Sequence, residues 1–230
     1  MTIQNSIDQI RQRIDTACHK AGRDPATVHL LAVSKKKPLN AIEEAAAAGQ
    51  KLFGENYVQE FVGKSDDSRL DIDWHFIGGL QSNKVKYLRG KVAMIHSVDR
   101  LSLAKEIDRQ WGGCESPVAI LIQVNIGDEP TKAGVTASEL EPLVRQLALL
   151  QNLRICGLMA IPPQSDNPEE SRHWFREMRK LADSIETLNL QNVSMTELSM
   201  GMSDDFEVAI EEGATLIRIG TAIFGARDDA

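Results

Sequence analysis

Lys35 follows the apolar run Val28 to Val33 with only Ser34 between them, at the point where a buried strand would leave its sheet. A primary amine placed there can attack an aldehyde once it has lost its proton. Partial burial and the neighbouring charges of Lys36 and Lys37 would both lower its pKa and raise the neutral fraction. Composition alone favours a plainer reading, in which three consecutive lysines form a solvated loop. Arg218 is the second unusual residue, since it interrupts the apolar run Thr215-Leu216-Ile217-Ile219. A buried guanidinium is costly without an acceptor. A ligand, an acid on a neighbouring strand such as Glu197, or solvent at a rim would each serve. Two turns gather glycine and hydroxyl residues, Leu198-Ser199-Met200-Gly201-Met202-Ser203-Asp204-Asp205 and Ile219-Gly220-Thr221-Ala222. Main-chain N–H groups at strand-to-helix turns hold phosphate, and Ser203 or Asp204 would also cap the next helix.

These groups need a frame that brings distant turns together. Ile3, Ile7, Ile10, Ile14 and Ala17 recur at helical spacing, so residues from about 3 to 20 read as an amphipathic helix ended by Gly22 and Pro25. Val28 to Val33 is too short and too β-branched for a helix and begins a β-then-α rhythm. Further strands are expected at Lys51-Phe53, Trp74-Ile77, Val92-Ile95, Val118-Val124, Leu153-Met159, Met195-Leu198 and Leu216-Ile219. Eight strands alternating with helices imply a parallel sheet built from crossovers. The reading is an α/β chain forming one (β/α)8 barrel of the TIM type, a single domain over 1–230 with an extra N-terminal helix. An open doubly wound sheet is the rival, but the first strand-helix turn lacks G-x-G-x-x-G. In barrels the functional face lies at the C-terminal ends of the strands, which is where Lys35, Glu55, Asn56, Gln81 and both glycine turns fall. The one long turn-rich loop, residues 161–168, follows the sixth strand.

Other chemistries find little support. Lys+Arg 26 against Asp+Glu 33 gives a net charge of -7, which argues against nucleic acid or an anionic membrane as partner. Cys18, Cys114 and Cys156 are odd in number and widely spaced, as in a reducing compartment, and a cytoplasmic location is expected. The N-terminus lacks the features of a signal peptide, and no apolar run approaches the ~20 residues of a membrane span. His19, His29, His75, His96 and His173 show no metal-ligand spacing with the cysteines, so no metal is expected. Neither a G-x-S-x-G elbow nor a Walker loop occurs.

Several blocks in order resemble one family. They are Ala32-Val33-Ser34-Lys35, Phe53-Gly54-Glu55-Asn56-Tyr57-Val58-Gln59-Glu60, Trp74-His75-Phe76-Ile77-Gly78, Leu80-Gln81-Ser82-Asn83-Lys84, Gly157-Leu158-Met159-Ala160, residues 198–205 and residues 218–225. Together they resemble the pyridoxal 5′-phosphate (PLP) homeostasis proteins. The resemblance implies a PLP barrel similar to the N-terminal domain of alanine racemase, with Lys35 as the Schiff-base lysine. Arg218 would face the pyridine nitrogen, Ser199, Gly220 and Thr221 would contact the phosphate, and Asn56 and Met159 would line the pocket. Lys36 stands where the family often has Thr, Gly79 where many members have Pro, and Lys132 resembles a family feature at the barrel mouth.

A permanent cation at the ring nitrogen weakens PLP as an electron sink. The expectation is therefore a monomeric carrier without catalytic residues, buffering PLP or passing it to apo PLP-dependent enzymes. An amino-acid racemase working without the usual second domain is the alternative. A phosphate-binding isomerase or aldolase, with Lys35 attacking a sugar carbonyl, is a third.

Overall fold

The computed structural model describes residues 2–67 and 70–225. Eight strands close into a parallel barrel in sequence order: β1 (His29–Val33), β2 (Leu52–Glu55), β3 (Asp73–Phe76), β4 (Met94–Val98), β5 (Val118–Val124), β6 (Leu153–Ala160), β7 (Val193–Ser199) and β8 (Leu216–Ile219). Leu31 opposite Arg218 belongs to the β1–β8 pairing that seals it. The expected (β/α)8 architecture is the one observed. Each expected strand overlaps an observed one, with ends that differ by at most three residues, because strands covered on both sides are written as short apolar runs.

Helices α1 (Ile3–Lys20), α2 (Leu39–Ala47), α3 (Val58–Asp67), α4 (Leu101–Trp111), α5 (Ala137–Leu147), α6 (Arg172–Glu186), α7 (Phe206–Glu211) and α8 (Thr221–Phe224) complete the chain. The third crossover carries only a 3-10 segment, Ser82–Tyr87. Helix α1 starts at Thr2, whose hydroxyl accepts from the Asn5 N–H, and buries Ile7, Ile10, Ile14 and Ala17. It packs on α7, α8 and α2, and so covers the seam where β8 meets β1. None of the described helices is long and apolar enough to cross a membrane. Cys18, Cys114 and Cys156 are all free thiols.

Most of the core lies between strands and helices. The barrel interior is separate. Alternate positions on a barrel strand point to the axis, so Met94 and His96 share a face on β4, as do Leu216 and Arg218 on β8. A small apolar cluster of Ala119, Leu121, Cys156, Met159 and Leu216 forms there. Gly157 lets β6 approach β7: at φ +154° a Cβ would meet the Glu197 carbonyl oxygen at 1.8 Å.

His75 and His96 complete the interior, with His75 Nδ1 2.8 Å from His96 Nε2. Burial pushes the His75 pKa down from 6.5 to about 4, helped by the charge of His29. Burial likewise drives His96 well below its ordinary value, followed by the effects of His75 and Arg218. The unfolded chain protonates His75 near pH 6.5 and the folded chain only near 4, so the unfolded state binds more protons in between and stability falls as pH falls. From this ring the expected loss is about 3 kcal/mol by pH 4. Urea unfolding of the protein and of His75→Gln between pH 7 and 4.5 measures it. The variant should show the shallower decline, whereas equal slopes would mean that His75 is charged in the fold.

Candidate functional site

One cleft of about 1030 Å³ opens at the C-terminal ends of the strands. Lys35, Asn56, Ile77, Arg218, Gly220 and Thr221 line its floor, and residues from the loop after β6 and from the 202–204 turn form its wall. The strand-end turns therefore meet where a barrel places its ligands.

Lys35 sits in a tight turn closed by the Lys37 N–H donating to the Ser34 carbonyl at 3.0 Å. Lys36 takes the left-handed conformation, φ +58°, and its N–H donates to Glu60 Oε1. The Lys36 side chain is exposed, while the Lys37 ammonium donates to the Phe224 carbonyl at 3.1 Å. A buried ionic cluster supports this turn from below. Lys64 Nζ donates to the Ser34 carbonyl at 2.7 Å, to Glu55 Oε1 at 2.7 Å and to Glu60 Oε1 at 2.6 Å. Ser34 Oγ adds a 2.6 Å bond to the same Glu55 oxygen. Burial pushes the Glu55 carboxyl up, against the opposing pull of Lys64.

Asn56 follows β2 with its main chain laid against Gly78, where a Cβ would stand 2.1 Å from the Asn56 carbonyl oxygen. The Asn56 Oδ1 atom is buried and has no hydrogen-bond partner among the described residues. An unsatisfied acceptor on the floor of a cleft calls for a donor from outside the chain.

Arg218 is 5% exposed, and two neutral groups receive its protons. Nη1 donates to Ser199 Oγ at 2.7 Å and Nη2 to the Ala160 carbonyl at 2.8 Å. Burial lowers its pKa to about 10, with Asp205 acting in the opposite direction, so it remains a cation at neutral pH. Glu197 instead accepts from Thr215 Oγ1 at 2.6 Å and does not pair with Arg218. Ser199 is fully buried, with its hydroxyl also 3.0 Å from His96 Nδ1. It lies beneath the cleft, and so does Met159 in the interior apolar cluster. Ser203, expected in a phosphate-holding turn and also as a helix cap, lines the cleft, and Asp205 holds the N-cap position of α7.

The loop after β6 is tied down from the neighbouring unit. Lys132 Nζ donates to the Pro162 carbonyl at 3.1 Å and pairs with Glu129 at 2.6 Å. Gly220 and Thr221 open the first turn of α8, where main-chain N–H groups have no intrahelical acceptor. Among the described residues no group of three or more His, Cys, Asp or Glu side chains could hold a metal ion.

The alanine racemase N-terminal domain family matches residues 6–228. The pyridoxal phosphate homeostasis protein of Aquifex aeolicus is 48% identical, over 96% of each chain. PipY of Synechococcus elongatus PCC7942, solved with PLP bound, superposes with a TM-score of 0.85 at 37% identity, covering 97% of this chain and 100% of its own. Alanine racemase from Corynebacterium glutamicum shares the fold alone, at 16% identity and a TM-score of 0.70 over 95% of this chain and 61% of that one. The chain thus belongs to the pyridoxal phosphate homeostasis proteins, built on the alanine racemase N-terminal domain.

Proposed function

We propose that this chain binds PLP in the cleft, held covalently through Lys35, and serves vitamin B6 homeostasis as a cytoplasmic, monomeric, single-domain carrier spanning 1–230. One observation carries this reading: an amine, a buried guanidinium and an unsatisfied buried amide oxygen face the same cleft. When bound, PLP supplies an aldehyde for a neutral primary amine and a ring nitrogen whose protonation sets its power as an electron sink. Lys35 provides the amine. Arg218 stands at the ring nitrogen and opposes its protonation, because a guanidinium that keeps its charge disfavours a second cation beside it. Asn56 offers its free acceptor to a donor at the ring edge. Main-chain N–H groups of Gly220 and Thr221, with Ser203 opposite, hold the phosphate. Ser199 enters through Arg218 and Met159 as packing beneath the ring, so neither touches the phosphate in this reading.

A suppressed electron sink favours storage and release over carbanion chemistry, with apo PLP-dependent enzymes as recipients. Borohydride treatment of the PLP-loaded protein, followed by peptide mapping, should place the pyridoxyl group on Lys35. Lys35→Ala should lose the label and the visible absorption together; a label on another side chain would overturn the assignment. Asn56→Ala should weaken retention roughly tenfold, which corresponds to about 1.4 kcal/mol for one hydrogen bond in a dry site, as measured by equilibrium dialysis.

Carrier and racemase are separated by incubating amino acids with the loaded protein in deuterium oxide. The carrier reading expects no enzyme-like exchange at the α-carbon and a gain of activity in an apo-enzyme mixed with the loaded protein. Rapid exchange would establish the racemase instead.

A further inference from the structure

The hydrogen bonds around Arg218 continue into the barrel as one chain across four strands: Arg218 on β8, Ser199 on β7, His96 on β4 and His75 on β3, with contacts of 2.7, 3.0 and 2.8 Å. Every member is at most 5% exposed. Its proton arrangement follows from donor and acceptor counting. A guanidinium can only donate, so Ser199 Oγ accepts from Arg218. If His96 carried its proton on Nδ1, Ser199 would accept twice and its own O–H would have no acceptor in a dry interior. The satisfied arrangement has the Ser199 O–H donating to His96 Nδ1 and the His96 Nε2–H donating to His75 Nδ1. Both rings are then the Nε2–H tautomer. An imidazolium at His75 would set two N–H groups against each other across the 2.8 Å contact, and an imidazolium at His96 would turn its Nδ1–H against the Ser199 O–H.

We propose that Ser199, His96 and His75 are positioning residues for Arg218: a one-directional chain that fixes the guanidinium so that its remaining N–H groups face the cleft. This rests on the reading of Arg218 as the partner of the PLP ring nitrogen. The Ala160 carbonyl takes one further proton on the other side, so the guanidinium plane is held at two points. The charged and titratable groups facing the chain are His29 beside His75 and Asp205 beside Arg218. Burial keeps both rings neutral, as the chain requires.

Nitrogen-15 NMR of histidine- and arginine-labelled protein without PLP reads the chain directly. His75 and His96 should both show the Nε2–H tautomer with no titration between pH 8 and 5.5, and Arg218 should give resolved Nη signals. In Ser199→Ala the Arg218 Nη signals should collapse into rotational averaging. A Nδ1–H tautomer or an imidazolium at His96 in the parent protein would overturn the proposal, as would unchanged Arg218 signals in Ser199→Ala. With PLP loaded, Ser199→Ala and His96→Leu should both keep the borohydride label on Lys35. They should raise by about one unit the pH midpoint of the spectral change of the bound ring, since a loosened Arg218 opposes ring protonation less. His96→Gln retains an acceptor and a donor on one side chain and should show a smaller shift than His96→Leu. A midpoint unmoved in all three labelled variants would reject the positioning role. Absence of label in the parent protein would sink the cofactor reading instead, leaving the NMR result to decide the chain.

Discussion

A cation is held inside a closed barrel with no carboxylate in contact among the described residues, and much of the site follows from that one constraint. Taking a guanidinium out of water costs several kcal/mol even after relaxation. Here the compensation comes from Ser199 Oγ and the Ala160 carbonyl, which are dipoles and not charges. A buried carboxylate would satisfy the same N–H groups but would cancel the field reaching the cleft. Neutral acceptors leave that field nearly whole, and the more distant Asp205 tempers it only in part. The neutral histidine chain belongs to the same arrangement, because a second cation beneath Arg218 would be repelled.

At Lys35 the support is built the opposite way. Lys64, Glu55 and Glu60 form an ionic cluster that grips main-chain atoms of the turn, the Ser34 carbonyl and the Lys36 N–H. Such a cluster sets one ammonium against two carboxylates and holds the turn through charge-assisted hydrogen bonds. It fixes the left-handed turn at Lys36 and so aims the preceding side chain. The cleft thus combines a fixed charge on a strand with an amine on a clamped turn.

The frame was legible in the sequence because strands buried on both faces appear as short apolar runs, and all eight did. Arg218 was legible as a charge within such a run. Its partner was not: Glu197 is the obvious acid, but the side-chain register gives it to Thr215 and leaves Ser199 beside the guanidinium. The family resemblance implies a phosphate contact for Ser199, and in the structure its hydroxyl lies beside Arg218 and His96. His75 and His96 looked isolated because their adjacency is a property of pairing. His75 lies opposite Met94, so His96, two residues on, shares the inward face. His75 is a polar residue between apolar ones mid-strand, in Trp74-His75-Phe76, the same signal that singled out Arg218, whereas His96 is flanked by Ile95 and the polar Ser97. Lys64 left no comparable mark, since Glu60 and Lys64 at helical spacing look like an ordinary surface pair until α3 is packed against β2.

An acidic protein that takes a dianionic ligand must keep its attraction local. The chain carries a net charge of -7, and Asp166 and Asp204 stand on the cleft wall. Over distances beyond a Debye length of about 8 Å the cleft therefore presents no strong positive field to a polyanion in solution. The cation at Arg218, the amine at Lys35 and the N–H groups of the 220–222 turn become dominant only for a group small enough to reach the floor. There the low dielectric strengthens each contact. Selection by depth favours a compact phosphate ester over an extended polyanion.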